Sequence, residues 1–310
     1  MRVFESLDPV AKFAKPVLTI GNYDGIHIGH VRIIDRVKER ARASSGTSML
    51  MTFNPHPLHI LRPDKEMAAI VPLAEKKRLI EEAGVDVLFV LPFTAQFADL
   101  SPETFVASVL VEKLAVAVVV VGYDFRYGKK GRGDAASLEA AGRAHGFFVE
   151  TVGAVTIDGE KVGSNRIRKL VADGSVAAAA RLLGRPFALE GTVVKAWGRG
   201  RGIGYPTANL KTRYSLIPKD GVYVTEAAFD GNTRGGLTNI GHNPTFGEGQ
   251  GRSIETFILD FEGDLYGRKV RLSFLDRIRD DMKFASVDEL KARIAQDVEA
   301  GRAVLRQHGL

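Results

Sequence analysis

The sequence predicts two unlike halves. Residues 1–184 read as a doubly wound parallel sheet with helices on both faces, and residues 185–310 as a small antiparallel β-barrel or sandwich closed by a terminal helix. Three observations carry this. Apolar runs alternate with helix-period patterns through the first half, which is the signature of a parallel α/β layer. After Gly184-Arg185-Pro186 the pattern changes to strands in succession, separated by Gly, Asn and Asp turns. The 310 residues also exceed the usual size of one domain.

In the first half the predicted strands are 17–20, 49–53, 85–91, 116–121 and 147–152. The run 116–121 is unbroken apolar, as expected of a strand covered on both faces. Helical patterns fill 31–43, 73–83, 102–114 and 134–145. The first recurs as Val31, Ile34, Val37 and Ala41, at three- and four-residue steps. Pro102 suits a first helical turn, with Ser101 as its cap. Two short helices are expected over 164–183, around Asp173-Gly174. In the second half strands are expected at 187–195, 221–229, 233–240, 253–261 and 269–276, with turns at Asp230-Gly231-Asn232 and Glu262-Gly263-Asp264. Ser286 with Glu289 three residues on starts a helix running from about Val287 to Gln307.

Composition narrows the classes of function. There is no cysteine, which excludes disulfides, thiolate zinc sites and a cysteine nucleophile, and fits a reducing compartment. The N-terminal segment carries acids and no long apolar run, so no signal peptide is expected. No stretch approaches a membrane span. A cytoplasmic protein without a membrane partner is therefore expected. The net charge is +6, divided evenly between the halves, with one local cluster at Lys129, Lys130 and Arg132. Nucleic-acid binders usually concentrate their excess in one patch. Small anionic substrates account for this surplus as well as RNA does, and no nucleic-acid partner is expected. Oligomeric state is left open, a homo-oligomer included.

In a doubly wound sheet, ligands bind beyond the carboxyl ends of the strands. Three chemically suggestive stretches fall there: 21–30, 52–57 and 122–133. The first reads G-N-Y-D-G-I-H-I-G-H and forms a strand-to-helix turn. Gly21, Gly25 and Gly29 let the backbone turn sharply, while His27 and His30 sit at a helix start, which favours phosphate. The alternative is a tight turn with two surface histidines. In T-F-N-P-H-P, Pro55 and Pro57 hold His56 rigid beside Phe53; this is either a wall for a flat ligand or a stiff loop. Asp124, Phe125 and Arg126 are either grips for a ring and a sugar or a plug under a basic loop. Arg168, close to the start of the helix that Ser164 and Asn165 open, opposes the helix dipole unless an anion or an ion pair is shared there.

The second half holds G-R-G-R-G-I-G-Y-P-T-A-N over 198–209. Alternate glycines at Gly198, Gly200, Gly202 and Gly204 describe a loop able to wrap phosphate, though it is neither a P-loop nor a dinucleotide fingerprint. Thr207 and Asn209 are one strand period apart and face the same way, a pair of hard oxygen ligands suited to Mg²⁺. A glycine-rich hairpin with a polar strand is the alternative. Glu255 lies in an otherwise apolar strand, and is either a general base or an outward-facing glutamate.

Taken together, these stretches resemble the bacterial bifunctional riboflavin kinase/FMN adenylyltransferases, often called FAD synthetases. G-N-Y-D-G-I-H-I-G-H resembles the family's G-x-F-D-G-x-H-x-G-H, with Tyr23 for Phe. T-F-N-P-H-P and G-Y-D-F-R-Y-G are similar to its second and third nucleotidyltransferase signatures. The P-T-A-N loop, P-K-D-G-V-Y at 218–223, N-I-G at 239–241 with P-T-F-G at 244–247, D-L-Y-G at 264–267, and Arg277-Ile278-Arg279 with Lys283-Phe284 resemble its kinase module. One departure stands out: where the family usually has S-S-T, this chain has Gly163-Ser164-Asn165.

The resemblance implies a Rossmann-like nucleotidyltransferase domain over 1–184 and a riboflavin kinase barrel over 185–310. Riboflavin, FMN and ATP are the implied substrates, Mg²⁺ accompanies ATP, and FMN and FAD are products. It implies Glu255 as kinase base and Thr207 and Asn209 as metal and phosphate ligands. Gly198, Gly200, Gly202 and Gly204 would close over ADP phosphates, and Arg279 would help hold the flavin. For adenylyl transfer it implies His27, His30 and Arg168 as catalytic groups, with Gly21, Asp24, Gly25, Ser164 and Asn165 on ATP. Phe53, Pro55, His56, Pro57, Asp124 and Phe125 would lie along the flavin.

Overall fold

The structure is a computed structural model that describes residues 1–8, 12–195, 204–241 and 252–310. Contacts divide the chain into two compact units, Met1–Ser164 and Asn165–Leu310.

The first unit is built on a six-stranded parallel sheet. Its strands are β1 (Arg2–Phe4), β2 (Val17–Ile20), β3 (Ser48–Phe53), β4 (Val87–Leu91), β5 (Val118–Gly122) and β6 (Phe148–Val152), in the spatial order β1-β4-β3-β2-β5-β6. The chain runs outward from β2 through β3 to β4, then returns to place β5 on the other side of β2. The switch point therefore lies between β2 and β5, where such sheets open a crevice at their carboxyl ends. Every residue of β2, β3 and β4 is buried, as covering on both faces requires. Five expected strands are present. The sixth, β1, has only three residues, too few for a period to register.

Helices α1 (Ile28–Ser44), α2 (Leu73–Glu82) and α3 (Ala135–His145) cover the sheet. Of the apolar positions expected to face inward on α1, Ile34, Val37 and Ala41 are buried and Val31 is exposed. The segment expected as one helix over 102–114 has two geometries. Ser101 caps a short turn at Pro102–Thr104, accepting from the Thr104 N–H at 3.1 Å, and Phe105–Lys113 continue as a π-helix. The wider i→i+5 bonding is visible where Leu114 N donates to Val109 O at 3.1 Å. That spacing brings Phe105 over Leu110 and Val109 over Leu114, and all four are buried.

The second unit opens with two short helices, α4 (Ser164–Ala172) and α5 (Val176–Leu183). Sequence reading assigns these to the first half, with a boundary at 184. By contacts the line falls after Ser164, because α5 packs against strands of the barrel and buries Val176, Ala179, Leu182 and Leu183. The barrel consists of β7 (Phe187–Val194), β8 (Ala208–Thr212), β9 (Gly221–Phe229), β10 (Asn232–Gly241), β11 (Ser253–Ile258) and β12 (Lys269–Arg279), closed in the order β7-β8-β11-β10-β9-β12. Closure settles the open choice between barrel and sandwich, and among the described strands of the barrel it leaves no free edge. The expected Asp230-Gly231-Asn232 turn joins β9 to β10, pairing Phe229 with Asn232.

Three threonines lie inside the barrel, where apolar side chains would be expected. The Thr238 hydroxyl lies 2.8 Å from those of both Thr225 and Thr256, so each buried hydroxyl is satisfied. The terminal helix, α6 (Val287–Gln307), starts as expected, Ser286 accepting from Glu289 N at 3.1 Å. It lies against the outer face of β10. A Cβ at Gly235 would stand 2.5 Å from the Leu305 Cδ1 methyl, so a larger residue there would force Leu305 to shift. We expect Leu305→Ala to destabilise the second unit by about 2–4 kcal/mol, since the cavity it leaves cannot collapse against a strand. Denaturant unfolding, followed by a probe in each unit, would report the loss in the second unit only.

Candidate functional site

The turn after β2 is bent by three left-handed residues within four, with φ of +47° at Tyr23, +86° at Gly25 and +43° at Ile26. At Gly25 no side chain fits, because a Cβ would lie 2.9 Å from Ile70. Buried polar groups hold the bend. The Thr19 hydroxyl lies 2.6 Å from the Tyr23 hydroxyl, and burial pushes that phenol's pKa up, with the hydrogen bond opposing. The Asp24 carboxylate is buried and accepts from the Ile70 N–H at 3.0 and 3.2 Å. Two donors converge on the Asn22 carbonyl: Lys76 Nζ at 2.8 Å and Thr52 Oγ1 at 3.0 Å.

His27 caps α1, its Nδ1 accepting from His30 N at 3.2 Å. One helix-start N–H is thus answered by a histidine already in the turn. The His27 and His30 rings stack with centroids 3.6 Å apart. Burial, then the neighbouring His27 and Lys76, hold the His30 imidazole well below its usual pKa. Among the described residues its Nδ1 has no hydrogen-bond partner.

A cavity of about 560 Å³ opens at the switch point. Gly21, His27 and His30 line it, together with the aromatic rings of Phe53, Phe93, Phe97, Phe105 and Phe125. Pro57, Asp124 and Ser164 also reach it. The three stretches expected at the strand ends therefore meet here. Several expected site residues do not line it. Asp24 and Gly25 lie behind the turn, where the Asp24 carbonyl accepts from the Ser164 hydroxyl at 3.0 Å. His56 caps the short helix Pro57–Leu61, its Nδ1 accepting from Leu58 N at 3.2 Å, and the preceding Asn54–Pro55 peptide is cis. Neither Pro55 nor His56 reaches the cavity. Asn165 and Arg168 fall in the second unit, where the Arg168 guanidinium donates to the Asn165 amide oxygen.

In the second unit, strand register gathers the expected residues. Glu255 lies opposite Asn209 on one side and Asn239 on the other, forming one lateral row across β8, β11 and β10. Its neighbours Ile254 and Thr256 are buried in the barrel, so Glu255 faces outward. The Thr207 hydroxyl donates to Glu255 Oε2 at 3.4 Å. Tyr205 packs edge-on against Phe257 at 5.2 Å, which fixes the segment leading into Thr207. Gly204 is exposed with φ +87°; Gly198, Gly200, Gly202 and the P-T-F-G motif lie outside the described residues. Arg279 is paired within the unit. Its guanidinium donates to the buried Asp297 carboxylate at 2.7–3.1 Å, tying β12 to α6.

Sequence reading passes over Lys76, Thr52 and Asn239 as site residues. Asn239 and Thr52 carried a signal, since they open the N-I-G and T-F-N-P-H-P motifs. Lys76 carried none: a helical lysine is ordinary.

The chain matches two family models, FAD synthetase over residues 11–166 and riboflavin kinase over 183–305. It is 39% identical over 282 residues to the bifunctional riboflavin kinase/FMN adenylyltransferase of Escherichia coli K12, covering 91% of this chain and 90% of that one. The proteins of the same description from Listeria monocytogenes and Bacillus subtilis are each 38% identical, covering 93% and 92% of this chain and 91% and 90% of theirs. Among solved structures, one from Streptococcus pneumoniae described as a macrolide-efflux protein superposes with a TM-score of 0.89 at 33% identity, covering 97% of this chain and 98% of its own. Among the described residues of the present chain, no helix is long and apolar enough to cross a membrane.

The depressed pKa of His30 fixes a sign. The unfolded chain binds a proton at this position below about pH 6.5, whereas the native turn resists it, so stability rises with pH through that window. We expect the first unit to unfold at lower denaturant as pH is taken from 7 to 5. His30→Asn should flatten the dependence in the same titration.

Proposed function

Because the chain belongs to the family of bifunctional riboflavin kinase/FMN adenylyltransferases, it is a transferase that makes FMN from riboflavin and FAD from FMN, and we propose the following division of that chemistry among its residues. In the barrel, Glu255 takes the proton from the terminal ribityl hydroxyl of riboflavin as that oxygen attacks the γ-phosphorus of ATP. ADP leaves and FMN remains. The observation that carries this is the lateral row Asn209–Glu255–Asn239 with Thr207 against it. Such a row supplies one base among neutral oxygen and amide groups, and phosphoryl transfer needs chiefly positioning and charge stabilisation.

The donor set fits Mg²⁺. Thr207 and Asn209 offer hard oxygens, and the described residues hold no cluster of three His, Cys, Asp or Glu that would cage a metal without the nucleotide. These two residues would hold the ion together with ATP phosphates, and the ion supplies charge neutralisation there. Gly204, with the alternate glycines before it, covers the ADP phosphates. Arg279 supports the flavin end indirectly, by holding α6 through Asp297.

In the first unit, the FMN phosphate attacks the α-phosphorus of a second ATP and pyrophosphate leaves. FMN is itself the nucleophile, so no catalytic serine or cysteine is needed. His27 and His30 face the reacting phosphates from the start of α1, and Gly21 allows the nucleotide to approach the backbone. The flat flavin lies along Phe53, Pro57 and Phe125, with Asp124 at its polar edge. Asp24, Gly25 and Ser164 shape the turn, and Pro55 and His56 shape the loop that ends in Pro57. Riboflavin, FMN and ATP are the partners, and a cytoplasmic location suits them.

The assignment separates by mutation. With riboflavin, ATP and Mg²⁺, chromatography should find FMN first and FAD second. Glu255→Gln should abolish FMN formation yet leave added FMN convertible to FAD. His30→Ala should lower FMN adenylylation by about 10²-fold or more while FMN still accumulates. If each change struck both steps equally, the two-site assignment would be wrong.

A further inference from the structure

Lys76 is a charged residue that neither reaction, as assigned above, employs. It belongs to the buried face of α2, with Glu75, Leu79 and Ile80, and only 7% of it is exposed. A lysine is almost never buried to this degree without a partner. Its ammonium does not seek the glutamate beside it, which is held by Arg78 through bonds of 2.8 Å. Instead Nζ reaches the Asn22 carbonyl at 2.8 Å, where the Thr52 hydroxyl also donates.

The consequence follows from peptide planarity. In a trans peptide the carbonyl and the next N–H point in opposite directions. Two donors pulling the Asn22 carbonyl toward α2 and β3 aim the Tyr23 N–H the other way. That N–H takes no partner among the described residues, and both Asn22 and Tyr23 line the cavity. Tyr23 holds its left-handed φ of +47° at the same point, a conformation that a non-glycine residue keeps only when its surroundings hold it.

We propose that Lys76 is a positioning residue for adenylyl transfer: by pinning the Asn22 carbonyl inward it presents the Tyr23 N–H to the phosphates of the bound nucleoside triphosphate. This rests on the reading of the Gly21–His30 turn as the adenylyl-transfer site. A backbone N–H held in advance of the reaction stabilises charge developing on a phosphoryl oxygen without reorganising. The ammonium adds a buried positive charge behind the turn. His30 feels it, together with His27 beside it and the Tyr23 ring 4.8 Å away, while Asp24 opposes it. Removing that charge makes the His30 imidazole easier to protonate.

The test uses the full chain with Lys76→Met, Lys76→Arg and His30→Ala. Methionine keeps the unbranched stem and loses both donor and charge. Lys76→Met should lower kcat/KM for FMN adenylylation by about 10²-fold, chiefly in kcat, with riboflavin phosphorylation within about twofold of the parent. Lys76→Arg should recover about tenfold of that loss, since it restores charge and donor in a different shape. The His30 imidazole, followed by proton NMR, should titrate at higher pH in Lys76→Met. Adenylylation within about twofold of the parent in Lys76→Met would overturn the proposal. So would equal losses in both Lys76 variants with an unmoved His30 titration, because packing alone would explain them. If His30→Ala left adenylylation intact, the site reading itself would fall, a result distinguishable from failure of the Lys76 proposal alone.

Discussion

One carbonyl oxygen governs the first unit. The Asn22 carbonyl accepts from a lysine on α2 and a threonine on β3, so the turn that joins β2 to α1 is fastened to two further elements. Without those bonds, a segment with left-handed φ at Tyr23, Gly25 and Ile26 has easier conformations available. The Asp24 carboxylate on the Ile70 N–H closes the same bend from below. Under the proposed function, a ligand arriving at the start of α1 would meet a backbone already shaped, and its binding energy would not be spent on ordering it.

The second unit meets the same requirement by other means. The row proposed to be reactive sits on the outside of a closed barrel, where register decides which side chains stand abreast. Asn209, Glu255 and Asn239 align only because β8, β11 and β10 pair as they do. A slip of one residue would turn Glu255 into the interior. The hydroxyls of Thr225, Thr238 and Thr256, joined inside the barrel, make such a slip expensive, since each would lose its buried partner. On the outer face, α6 is held by Leu305 against Gly235 and by Arg279 on Asp297.

The two reactions share ATP and differ in nucleophile. In one, a neutral hydroxyl must lose a proton, and the outward row contains a carboxylate. In the other, the nucleophile is already an anion, and the cavity is lined by His27 and His30 at a helix start, with Asp124 also along it. On the proposed assignment, the chemistry of each site matches the protonation its substrate requires. Family membership over both units accounts for why one chain carries both.

Local pattern was enough for much of this. Among the described residues, apolar runs and turn residues marked ten of the twelve strands of the parallel sheet and the barrel and every principal helix, and the glycine and proline motifs marked the strand ends where the cavity opens. Those features are written in neighbouring residues, so a sequence read in order exposes them. Partnership across the fold was not legible. Whether Arg279 faced a flavin or Asp297, whether His56 faced a ligand or capped a helix, and whether Lys76 lay on a surface or beneath the turn depended on residues far away in the chain. The sequence by itself determined the two layers, the order of the motifs and the family they resemble. The tertiary structure decided which charged and polar groups are paired internally, because a hydrogen bond is settled by distance in space and not by distance along the chain.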